Sequence, residues 1–252
     1  MGDLVSPHIE TPMRNSYHTS IDHLPDRSLP MRSFDEIFEI ASERKGGASE
    51  LEKLLDPPLG NDELAAIPND RWLARMAQCI FNSGFNWKVV EAKWPGFEEA
   101  FDGFDPGRVA MYNDDDLARL VSDERIVRHG GKIRSVHENA IFVCDLAREH
   151  GSAGRFFADW PASDYVGLLE LMKKRGSRLG GNTGQYFLRF IGKDSFILSS
   201  DVTARLIAEN VIDKPATSKK AMGQVQEAFN IWQQQSGRSL KEISRVLAMS
   251  TG

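Results

Sequence analysis

Residues 173–205 read KKRGSRLGGNTGQYFLRFIGKDSFILSSDVTAR, and this stretch decides how the rest of the chain is read. A basic run meets a glycine-rich turn, Gly180, Gly181, Asn182, Thr183 and Gly184, and helical spacing resumes at once over Gln185 to Phe190. A turn of this kind between two helices exposes N–H groups that no helical bond satisfies, beside the positive end of the second helix. A phosphate is a natural partner there, and glycines let a strand of nucleic acid come close. From Leu171 to Lys193 there are six basic residues (Lys173, Lys174, Arg175, Arg178, Arg189, Lys193) and no acidic one. Arg178, Lys174 and Arg189 are expected to add a salt-dependent contribution to polyanion affinity. The plain alternative is a connector with no ligand; the acid-free surroundings favour the phosphate.

Asp201 follows in SSDVT, where a further helix is expected to start. Two readings stand. Asp is a favoured N-cap, and in the first reading it does no more than start that helix. A carboxylate facing a cleft would instead stabilise an oxocarbenium-like sugar and orient water during hydrolysis of an N-glycosidic bond.

Working outward, residues 1–32 carry four prolines and three histidines without periodicity and are expected to form an extended or disordered arm. Ser33 and Glu36 form a capping box before FDEIFEIASER, which should stop at Gly46-Gly47. Trp72, Leu73, Met76, Ala77 and Ile80 fall on one helical stripe. Helices are further expected near Trp87–Trp94, after Asp105-Pro106, and over 114–121, 133–149, 163–174, 185–190 and 202–210. A polar hinge, IDKPATSKK, precedes two more, the second opened by a Ser239–Glu242 capping box. No alternating strand pair is present, so the fold class is all-α. The expected division is an arm over 1–32, a helical domain over 33–213 and a C-terminal helical appendage over 214–252.

Across 252 residues, 41% are hydrophobic and 27% charged, with a net charge of −5, the profile of a soluble globular protein. Nothing in the sequence resembles a membrane span or a secretory signal, so a cytoplasmic protein is expected, associated with the nucleoid if bacterial. Only Cys79 and Cys144 are present, which excludes a disulfide framework and a four-cysteine zinc site. The modest negative charge argues for a local basic patch rather than indiscriminate polyanion binding.

FNSGFNW (81–87), FDGFDPGRVA (101–110), IVRHGGKIRSVHENA (126–140) and KKRGSRLGGNTGQYF (173–187) stand in an order and spacing that resemble the DNA-3-methyladenine glycosylase I family, within the helix-hairpin-helix glycosylases. The resemblance implies a two-lobed helical body that kinks double-stranded DNA, flips out a damaged base and hydrolyses its bond to the sugar. By motif position Trp87 corresponds to the family's pocket tryptophan, whose ring suits a cationic alkylated base; a core tryptophan would read the same way. Phe85, Asn82 and Gln78 are the other pocket candidates. Arg128, His129 and Lys132 precede a long helix, and the resemblance places Arg128 and Lys132 on the DNA-facing surface, the alternative being a solvated charge cluster.

Two features depart from the family. Its structural zinc, held by Cys and His near the ends of the domain, has no matching ligands here, so neither metal nor cofactor is expected. Its pocket glutamate should fall about eight residues before Trp87, where the chain reads Gln78-Cys79-Ile80. Asp201, by contrast, stands where the wider superfamily keeps a catalytic aspartate. No lysine occupies the hairpin turn, so base release without strand cleavage is expected from a monomer. The reading from a different class is a non-catalytic protein that recognises distorted duplex through the same hairpin.

Overall fold

Why the chain folds into short helices is visible at their ends. In the computed structural model, which describes residues 31–251, Ser33 and Glu36 close the capping box that starts α1 (Phe34–Lys45), and Gly46 ends it in a left-handed conformation. There follow α2 (Ala48–Glu52), α3 (Asn61–Ala66), α4 (Asn69–Asn82), α5 (Trp87–Ala92), α6 (Trp94–Ala100), α7 (Pro106–Val109) and α8 (Asp114–Ser122). The long α9 (Gly130–His150) leads to α10 (Ala153–Asp159), α11 (Tyr165–Arg175) and α12 (Asn182–Ile191), then α13 (Ser200–Ala208), α14 (Lys219–Ser236) and α15 (Leu240–Met249). No strand occurs among the described residues, and the all-α expectation holds. No described helix is long and apolar enough to cross a membrane.

Helix α4 is the centre of one group. It packs on α9, α12 and α10, and α10 in turn crosses α3. Trp72 stacks on Phe157 at 4.5 Å, and Phe187 meets it edge-on at 5.9 Å. A second group gathers α1, α13, α14 and α15, with α11 packed on α14. Phe196 stacks on Phe229 at 4.2 Å, and Trp232 and Tyr165 are fully buried beside them. Helix α12 belongs to both groups, packing on α4 and on α11.

The expected arm lies outside the described residues except for Met31 and Arg32. There the Trp232 indole donates to the Arg32 carbonyl at 3.0 Å, and the Arg32 guanidinium pairs with the buried Glu209 at 2.9 Å. Glu209 also accepts from Arg205, whose guanidinium donates to Ser250. An ionic network, buried at Arg205 and Glu209 and exposed at Arg32, thus ties both ends of the described chain to α13, with each charge hydrogen-bonded.

Helices α3 and α10 have no counterpart in the sequence reading. At six and seven residues they are too short to show a period. They exist through mutual packing: Gly154 of α10 crosses so close to α3 that a Cβ there would meet the Leu64 carbonyl at 2.7 Å.

Candidate functional site

The hairpin is formed by α11, the turn over 176–181 and α12. Helix α12 begins within the glycine-rich run, at Asn182, earlier than the expected 185. Gly181 adopts φ 58°, ψ −139°, a conformation that favours glycine, and Gly184 passes so near the Leu179 carbonyl that a Cβ would sit 2.3 Å away. Helix α9 holds the turn from beneath. Buried Asn139 donates to the Ser177 carbonyl at 2.9 Å and accepts from the Ser177 N–H at 2.8 Å, and Arg178 donates to the Gly131 carbonyl at 3.2 Å. The Gln185 side chain, also buried, accepts from the Leu198 N–H and so fixes the segment leading to α13. Asn139 and Gln185 escape sequence reading because their partners are backbone atoms remote in the chain.

The basic run is thinner at the surface than the sequence suggests. Arg175 is engaged in a two-pronged pair with Glu149. Arg189 donates to the Ser195 carbonyl at 2.6 Å, and Lys193, buried, donates to the Trp160 carbonyl at 2.6 Å. Burial holds both cations below their ordinary pKa range. Lys173, Lys174, Arg175 and Arg178 are exposed, Arg175 being held by Glu149, whereas Arg189 is half-buried, so the expectation that Arg189 faces a polyanion is corrected.

Lys132 also departs from the expected DNA-facing role. It is buried, and its ammonium donates to the carbonyls of Phe81, at 3.1 Å, and Ser83, at 2.7 Å, at the end of α4. The ring centroids of Phe81 and Phe85 lie 5.9 and 6.0 Å from it. Burial, then the charge of Arg178, lowers its pKa. The lysine is a clasp that fastens the 81–87 turn to the start of α9. Arg128 is exposed as expected, with a loose contact to Glu124 at 3.6 Å, and His129 is the N-cap of α9.

That turn delivers Trp87 to a cavity of about 200 Å³ lined by Cys79, Asn82, Ser83, Gly84, Trp87, Asn182, Thr183, Tyr186 and Phe190. A second cavity of about 240 Å³, lined by Arg75, Gln78, Asn82, Trp87, Glu91 and Phe190, shares three of these walls. The structure therefore brings Trp87, Asn82 and Gln78 together with Asn182 and Thr183 of the hairpin. Phe85, exposed, stands outside both linings. Trp87, 47% exposed, is not a core residue; it meets Tyr186 at 6.0 Å and Phe190 at 5.8 Å, both nearly perpendicular. The sequence reading passed over Tyr186 and Phe190, although their i, i+4 spacing on α12 was the available signal. Glu91 was missed as well, and it brings to the cavity, from α5, a carboxylate absent from 78–80.

Asp201 is not the cap of α13. Ser199 takes that position, accepting from the Val202 N–H, and Asp201 is exposed in the first turn, outside the linings of both cavities. Among the described residues no group of three His, Cys, Asp or Glu side chains is placed to hold a metal ion.

Residues 68–186 match the methyladenine glycosylase family model. The four-block resemblance is thus shown over that stretch, which includes Trp87, Tyr186 and the hairpin turn and ends before Phe190 and Asp201. DNA-3-methyladenine glycosylase 1 of Escherichia coli (strain K12) is 40% identical over 58 residues, 23% of this chain and 31% of the relative, so the chain spans about a third of that relative's length. A crystal structure of 3-methyladenine DNA glycosylase I shares 25% identity, covering 50% of this chain and 79% of the other, with a TM-score of 0.43. The Staphylococcus aureus 3-methyladenine DNA glycosylase I shares 24% identity, covering 50% and 77%, with a TM-score of 0.45.

Proposed function

We propose, from the premise that residues 68–186 form a methyladenine glycosylase domain, that this protein is a monofunctional DNA N-glycosylase that removes a damaged base, an alkylated purine, from duplex DNA. The observation that carries this reading is the shared cavity wall: the turn suited to a phosphate and the aromatic pocket suited to a base are built from the same residues, Asn182 and Thr183. A nucleotide whose phosphate rests on that turn and whose base enters the pocket has been turned out of the stack.

In this reading Arg178, Gly180, Gly181, Asn182, Thr183 and Gly184 receive the backbone, aided by exposed Arg128. Trp87, Tyr186 and Phe190 surround the base, and a cationic alkylated ring gains from their π faces. The N-glycosidic bond breaks with its electron pair leaving on the base, water adds to the sugar carbon, and the Asp201 carboxylate offsets the developing positive charge and takes the proton from water. The products are free base and an abasic site. The protein works as a monomer in the cytoplasm, on the nucleoid if the source is bacterial.

The test is base release from duplexes carrying methylated, deaminated, oxidised or mismatched bases, with wild type and Asp201→Asn side by side. Wild type should release one class of base, and the variant should lose release by a factor of 100 or more, on the order of a lost electrostatic stabiliser, while still binding DNA. DNA binding with no base released by wild type contradicts the reading.

A further inference from the structure

A larger cavity, of about 780 Å³, lies between α11 and the segment 215–219 that leads into α14, with Gly181 and Asn182 of the hairpin in its lining. Asn182 is therefore a wall both of this groove and of the cavity beside Trp87. Lys173 and Lys174 line the groove from α11 and Lys219 from α14, all three exposed. One carboxylate stands against them, Glu170, 3.4 Å from the Lys219 ammonium. An exposed pair of this kind is weak, and three lysines against one carboxylate leave the lining positive. The first turn of α14 gives a second sign of an anion, since it holds Lys219 and Lys220 and no acidic residue. A helix N-terminus is the positive end of the helix dipole and favours acidic side chains, so two lysines there repel it unless an anion lies close. Residues 215–222 stand outside the stretch, 68–186, that matches the family model, so the wall they make is not part of the matched domain.

We propose that the DNA backbone continues from the hairpin into this groove, with Lys173 and Lys174 meeting its phosphates from one side and Lys219 from the other. This rests on the duplex binding of the reading above and adds the segment 215–219 to the DNA contact. Charge and continuity together identify the occupant. A phosphate seated on the Gly181–Asn182 turn is covalently joined to the next one along the strand, and the groove opens from that same turn with cations on both walls. Val166, Leu169 and Met222 supply apolar lining for the sugars between the phosphates. A basic partner is repelled by the lysines, and an acidic protein segment lacks the covalent continuity with the hairpin. Contacts of this kind carry no base sequence; they fix register on the duplex and add a salt-dependent share of affinity.

Undamaged duplex is the probe, with affinity measured by fluorescence anisotropy over a range of salt for wild type, Lys219→Gln and Glu170→Gln. Both side chains are exposed, and thermal melts establish that each variant is folded. Lys219→Gln should lower the salt slope by about one counterion and weaken binding by about five- to tenfold at about 0.1 M salt. Glu170→Gln should act in the opposite direction, strengthening binding by about threefold, because it takes a negative charge out of the path of the backbone. Affinity unchanged, or changed in the opposite direction, in either variant overturns the groove assignment; base release by wild type from damaged duplex then keeps the glycosylase reading. A wild type with no affinity for any duplex overturns both.

Discussion

Lys132 shows how far one residue's role depends on where its carbon stem leads. In sequence it belongs to a basic cluster; in the fold its ammonium satisfies two carbonyls at the end of α4, which no intrahelical partner can reach. Lys132→Met keeps the stem and removes the donor. It should destabilise the protein by about 1–3 kcal/mol and lower base release more than duplex affinity, because the turn that carries Trp87 is loosened; thermal melts beside excision and binding assays check this. Equal losses in both assays would instead make Lys132 a DNA contact. Cys79, in the pocket wall, gives a second check. Burial pushes its thiol up to about 12, so it stays protonated in the native protein at pH 8. Mass spectrometry after alkylation at pH 8 should find Cys79 unmodified in the native protein and modified once it is unfolded in guanidinium.

At the scale of elements, the hairpin was legible and its consequences were not. Glycines at 180, 181 and 184 inside a basic run announced a tight turn, and capping boxes at Ser33 and Ser239 located two helix starts correctly. Sequence could not say which cations are spent on protein acceptors, because that depends on which carbonyls and carboxylates the fold brings within reach. Arg178→Ala should reduce the salt dependence of duplex binding by about one counterion, and Lys174→Ala likewise, whereas Arg189→Gln should leave that slope unchanged, its guanidinium being spent on Ser195. Measured slopes decide it. Gly184→Ala should abolish binding altogether, since the added methyl cannot fit against the Leu179 carbonyl without moving α12.

For the molecule as a whole, the division drawn from sequence at residue 213 runs through a shared core. Phe229, Trp232, Leu240, Ile243 and Leu247 are buried to the same degree as Trp72 or Phe187, and α1 packs on α15, the first described helix on the last. A chain ending at 213 should therefore be insoluble or lack cooperative unfolding, checked by soluble yield and circular dichroism. A soluble, cooperatively melting fragment would show that the C-terminal helices are dispensable. The site escaped the sequence for the same reason that this boundary did: Trp87, Glu91 and Phe190 meet only after α4, α5 and α12 have packed, and spacing along the chain does not record such meetings.

The central claim is that the cavity between α4, α5 and α12 holds an extruded base. It is tested most directly by Trp87→Ala, comparing single-turnover base release from alkylated duplex with affinity for undamaged duplex. The account predicts release lowered by about 100-fold, on the order of a lost aromatic and cation–π contact in a desolvated pocket, with affinity for undamaged duplex within about threefold of wild type. Release unchanged in the variant would contradict it, and so would release and affinity falling together.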